Sequence, residues 1–133
     1  MSKEVLIHYW LDKSDDDIES ASANFSANRL QNAVRDAYFA CFHAFAALLL
    51  KEGKTFKRHK EVRSALHRDF VRKGKLDPMW GKHYDWLFEN RQKADYRPLV
   101  EFEPEQVKEI IEQTHDFLEE MKRLLSAEAT QPR

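Results

Sequence analysis

A chain of 133 residues with 42% hydrophobic and 34% charged positions has the size of one domain and the composition of neither a disordered segment nor a membrane protein. Three glycines and four prolines are too few for the tight turns of a sheet protein and favour long helices joined by short loops. The net charge of −1 conceals a basic middle, since residues 51–75 hold ten Lys and Arg against three acids, between two acidic ends. Such a face attracts phosphates or simply meets solvent, and composition does not choose between the two. The single cysteine, Cys41, excludes an internal disulfide and falls in an apolar stretch where it reads as a small buried hydrophobe. The first five residues lack the apolar core of a signal peptide, and the longest apolar run, Phe39 to Leu50, is too short to span a bilayer. No membrane association is expected, and the cytoplasm is the expected compartment.

Apolar spacing near 3.6 residues predicts five helices. The first runs from about Glu4 to Phe25, with Ile7, Leu11, Ile18, Ser22 and Phe25 in one stripe and the acidic run Asp15-Asp16-Asp17 as solvated surface. The second, about Asn28 to Lys51, is apolar around most of its circumference, so it must be packed on several sides and is the central helix; Gly53 ends it. The third, about Arg58 to Lys73, carries Val62, Leu66 and Phe70 with basic residues elsewhere on its circumference. The fourth starts near Pro78 behind the capping candidate Asp77, continues to about Tyr96, and is closed by Pro98. The fifth begins at Pro104 and aligns Val107, Ile110, Ile111, Thr114, Phe117, Leu118, Met121, Leu124 and Leu125. The expected fold is all-α, an antiparallel up-and-down bundle of about five helices over residues 1–126, with 127–133 as a disordered tail.

The fourth helix carries an anomaly. Its apolar stripe, Trp80, Tyr84, Leu87 and Phe88, continues into Arg91 and Asp95, which aims a guanidinium toward packing. One reading is an Arg–carboxylate pair that fastens the helix end, because a guanidinium leaving water needs a partner. The other is a phosphate-binding arginine, for which the planar donor fork is suited, with Asp95 orienting it. The two are compatible.

Three blocks resemble the HEPN family in its prokaryotic branch. The run from Arg35-Asp36-Ala37-Tyr38-Phe39-Ala40-Cys41-Phe42-His43-Ala44 to Ala47-Leu48-Leu49 is similar to that family's Tyr-Tyr-Ala-x-Phe-His-Ala…Ala-Leu-Leu signature. His59-Lys60 resembles the opening of its next block, and Arg91-Gln92-Lys93-Ala94-Asp95-Tyr96 resembles its Arg-x-x-Ala-Asp-Tyr block. The resemblance spans roughly residues 5–125. It implies a helical bundle that forms a homodimer and pairs with a minimal nucleotidyltransferase in a toxin–antitoxin-like couple. It also implies phosphate-binding by Arg91, with Asp95, His59, His43 and Arg35 beside it, toward a nucleotide or RNA.

Several branches of that family are metal-independent ribonucleases built on an arginine followed, four to six residues later, by a histidine. Arg91 matches the arginine, but Tyr96 stands where the histidine belongs. Metal-free cleavage by 2′-hydroxyl attack needs a proton acceptor and a donor near neutral pH, the task of histidine rather than of a phenol with a pKa near 10. His59 and His43 are the histidines that would join Arg91 in space, each with a structural role as its alternative; His8, His67, His83 and His115 read as surface or packing residues. The favoured expectation is a binding module; the alternative is a ribonuclease toxin using Arg91 with Tyr96 or His59. Tyr96, near the end of its helix, is also the residue to test as a nucleotidyl acceptor. No histidine pair has metal-site spacing and no glycine-rich phosphate loop exists, so neither a metal nor a cofactor is expected.

Overall fold

The computed structural model describes residues 2–96 and 101–130, and of these, residues 94–96 and 128–130 by their backbone alone. Five helices follow one another: α1, Lys3–Ser26; α2, Leu30–Lys51; α3, His59–Ala65, which runs on as a π-helical stretch Leu66–Val71; α4, Pro78–Tyr96; and α5, Pro104–Thr130. Among the described residues there is no strand, and the architecture is the expected helical bundle. The expected closure of α4 by Pro98 lies outside the described residues. The segment anticipated as a tail begins inside α5, which reaches Thr130, while residues 131–133 are also outside them.

Local chemistry sets the helix ends. The Ser2 hydroxyl accepts from the Val5 amide at 3.2 Å and caps α1. At the other end Asn28 takes a left-handed φ of 60°, and the Arg29 amide reaches back to the Asn24 carbonyl at 2.8 Å. Gly53, at φ 76°, closes α2 in the same way, with Lys54 N–H donating to Leu49 C=O at 2.9 Å. Asp77 caps α4 as anticipated, its Oδ1 accepting from the Met79 amide at 2.9 Å.

The core is arranged around α2. Ala33, Val34, Ala37, Tyr38, Ala40, Cys41, Ala44, Phe45, Ala47, Leu48 and Leu49 are all buried, against α1, α4 and α5. By length and composition Leu30–Lys51 would suffice to cross a bilayer, but most of it is enclosed by the other helices, which is what its apolar circumference serves. The predicted stripes of α4 and α5 are buried except for Leu124, which is half-buried. Cys41 is fully buried beside the Thr114 hydroxyl, and burial pushes its thiol far above the ordinary range, so it is an inert core residue.

The third element departs from expectation in pitch. Val62, Leu66 and Phe70 are buried as predicted, but the second half winds as a π-helix. Asp69 is buried there. It accepts from Arg68 Nε at 3.0 Å and from Lys54 Nζ at 3.2 Å, and the Arg68 bond is the main reason its carboxyl is held to about 2. Gly81 of α4 faces this stretch, where an added Cβ would lie 2.8 Å from His67 Cε1 and 3.3 Å from Val71 Cγ2.

Candidate functional site

One surface gathers residues of α2, α3 and α4 around the ring of Phe39, and α1 joins it through His43. Phe39, one turn before His43 on α2, is half-buried. Its ring centre lies 5.9 Å from the His43 ring, 5.9 Å from the His59 ring and 5.9 Å from the Arg91 guanidinium carbon. Arg91 also lies over the Tyr38 ring, at 4.9 Å. The α4 stripe thus delivers a cation onto two aromatic faces, a setting in which guanidinium keeps attraction as it loses water.

His59 opens α3 and is stacked on Phe42, with ring centres 4.4 Å apart and planes 10° from parallel. Tyr38 stacks on it too, at 5.7 Å, and the Tyr38 hydroxyl and His59 Nδ1 share a hydrogen bond of 2.7 Å. Burial, and then the positive charges of Arg91 and His43, lower the pKa of His59 below its usual value, so it is neutral at pH 7. Burial outweighs the neighbouring Arg91 and Arg63 in raising the Tyr38 hydroxyl, which therefore stays a phenol.

His43 is packed between Trp10 of α1, at 5.2 Å and 16°, and Phe39, at 27°. Its Nδ1–H donates to Asp17 Oδ2 at 2.6 Å. Rings stack on each imidazole and Nδ1 is engaged in both, while among the described residues no hydrogen bond is seen at Nε2 of either.

The sequence-derived residues therefore fall into three groups. Arg91, His59 and His43 come together on Phe39. Arg35 lies exposed on α2, one turn before Phe39, where its charge acts on the Asp36 carboxyl. The side chains of Asp95 and Tyr96 lie outside the described residues.

Asp17 is a correction: not solvated surface, it is three-quarters covered and bonded to His43, and its neighbour Asp15 accepts from Lys122 of α5 at 3.2 Å. The signal was present in the spacing. Trp10, Ser14, Asp17 and Ala21 form an i, i+4, i+7, i+11 row, and Ser14 and Ala21 are fully buried, so Asp17 stands in an inward stripe and needs a partner. Tyr38 was legible only as core, since nothing in its spacing announces a hydroxyl aimed at a histidine 21 residues on.

Beyond Phe88 the surface becomes basic. The Arg63 guanidinium sits 4.2 Å over the Phe88 ring, which packs edge-on against Tyr38. A groove of about 550 Å³ then runs between Arg63, Ser64, His67, Arg68, Arg72 and Asp85. It is the structural form of the basic middle segment. Among the described residues no group of three or more His, Cys, Asp or Glu is placed to hold a metal ion.

These features define a class: an all-helical domain that presents an arginine and two histidines on an aromatic face. The HEPN domain model matches residues 7–124, and the chain belongs to the HEPN domain family. It is similar to the UPF0332 protein of Thermotoga maritima, 38% identical over 123 residues that cover 92% of this chain and 93% of that one. Two proteins of Methanocaldococcus jannaschii are also similar. One, named "Putative toxin MJ0605", is 31% identical over 81% of this chain and 85% of its own length. The other, named "Putative toxin MJ0142", is 24% identical over 86% and 78%.

Proposed function

We propose that this chain is a toxin-like HEPN protein whose Phe39 face binds RNA phosphate and cleaves the strand without a metal. The observation that carries the reading is the meeting of Arg91, His59 and His43 on one ring. It supplies the imidazoles that the missing histidine at position 96 had put in question, beside the cation that a charged phosphorane requires. The names of the two archaeal relatives agree in kind. The test is incubation with a mixed RNA panel in EDTA beside Arg91→Ala. Cleavage by the wild type alone is expected; equal cleavage by both would end the reading, and so would silence from both.

A second reading is favoured by the basic groove continuous with the site. In it the chain binds nucleotide or RNA without cleaving and works with a separate minimal nucleotidyltransferase, Tyr96 being the acceptor to examine. Nucleotide titration and a pull-down against that class of enzyme test it, with intact mass after incubation with ATP; a null result throughout rejects it. Both readings include pairing of two copies, motivated by the half-buried Phe42, Ala46 and Leu50 on α2 and checked by sedimentation.

A further inference from the structure

The two imidazoles on Phe39 are not equivalent. His43 and His59 each offer Nε2 to a ligand, but the group behind each ring differs in charge. Behind His43 is a carboxylate, Asp17, at 2.6 Å, the partner a protonated imidazole needs when it leaves bulk water. Behind His59 is a neutral phenol, Tyr38, at 2.7 Å, with the Arg91 and Arg63 cations nearby. A site with two like groups in opposed surroundings has its acid and its base already sorted.

Resting on the ribonuclease reading, we infer that His59 is the general base and His43 the general acid of strand cleavage, with Asp17 and Tyr38 as the positioning residues that set these roles. In this assignment the ring proton of His59 is on Nδ1, shared with the Tyr38 oxygen at 2.7 Å, and Nε2 has the lone pair. Burial and the facing cations keep this ring neutral at pH 7.

The step balances as follows. His59 Nε2 takes the proton of a ribose 2′-hydroxyl as O2′ bonds to phosphorus. The P–O5′ bond breaks, and its electron pair takes the proton that His43 Nε2 delivers. Arg91 meets the negative charge gathering on the non-bridging oxygens. The products are a 2′,3′-cyclic phosphate and a 5′-hydroxyl, and solvent exchanges one proton with each ring to restore the start. No oxidant, metal or co-substrate enters. Arg91 and both imidazoles each lie 5.9 Å from a single ring of α2, and Arg91 and His43 are near enough to His59 to act on its charge.

The assignment is tested by comparing an RNA oligonucleotide with uridine 3′-(p-nitrophenyl phosphate), whose leaving group departs without a proton. His43→Ala is expected to lose about 10²–10⁴-fold on RNA and to keep near wild-type rate on the activated ester. His59→Ala should lose about 10²–10⁴-fold on both, since the 2′-hydroxyl proton must be removed in either case. Asp17→Asn should follow His43→Ala in direction, impaired on RNA and spared on the ester, and Asp17→Glu should recover part of the loss. A merely structural role for Asp17 would depress both substrates alike.

If wild type cleaves but His43→Ala fails equally on both substrates, with helical content and melting preserved, the assignment falls while the ribonuclease reading stands. If the pattern of the two histidines is reversed, the roles are the other way round and the assignment is again wrong. A wild type inert toward both substrates removes the ribonuclease reading and this inference with it.

Discussion

His83 of α4 shows what a single buried side chain costs this bundle as pH changes. It is 6% exposed, with Nε2 3.0 Å from the Thr114 hydroxyl, and burial holds its pKa down to about 4 against an ordinary value near 6.5. The folded chain therefore excludes a proton that the unfolded chain accepts between those values. Stability is complete above about pH 6.5 and falls as pH drops toward 4, by on the order of 3 kcal/mol. Urea midpoints measured from pH 7 to pH 4 should show that decline, and His83→Gln, which cannot titrate, should flatten much of it. At the same scale lies the main failure of sequence reading. Cys41 was legible as packing, because it falls on an apolar stripe, whereas His83 read as either surface or packing. Asp17 was legible as an inward carboxylate in need of a partner, but neither it nor Tyr38 was legible as the neighbour of a particular histidine. A hydrogen bond between α1 and α2, or between α2 and α3, depends on rotation of each helix about its own axis, which a single stripe fixes only to within a residue.

The elements themselves followed from spacing and end signals, since buried stripes and capping residues act locally. Asp77→Ala should cost about 1 kcal/mol in unfolding free energy by removing the acceptor for the Met79 amide. The π-helical stretch was not foreseen, because its buried Leu66 and Phe70 keep ordinary helical spacing. Gly81 lets α4 press against His67 and Val71, while Asp69 turns inward to Lys54 and Arg68. Gly81→Ala would gain up to ~1 kcal/mol of helix propensity, yet its methyl would meet an imidazole tied to Asp85 at 2.9 Å. Overpacking of this kind costs about 1–3 kcal/mol, so net destabilisation is expected by thermal or chemical unfolding. In a His67→Ala background the same change should become neutral or favourable. Destabilisation of equal size in both backgrounds would place the strain elsewhere.

For the whole molecule, a net charge of −1 is the wrong guide to its encounters, because the groove of Arg63, Arg68 and Arg72 adjoins the aromatic face. A single-stranded RNA laid along both should bind with a log affinity that falls linearly in log salt, by about 0.7 per phosphate neutralised. Arg68→Ala with Arg72→Ala should flatten that slope while leaving mononucleotide affinity at Arg91 unchanged; an unaltered slope would remove the groove from the binding surface. The overall bundle was legible because its centre, α2, announces itself by being apolar on nearly every side. That same centrality has a consequence for synthesis. The helix packs on α1, made just before it, and on α5, whose first residue follows its last by 53 positions. At ~5–20 residues per second of translation, the α5-facing side of a newly made α2 stands uncovered for roughly 3–10 s before Pro104 is even joined, and longer before α5 is complete. An incomplete chain is thus an α1–α2 hairpin with an open, sticky flank, which makes the nascent form, rather than the finished bundle, the state in greatest need of a chaperone.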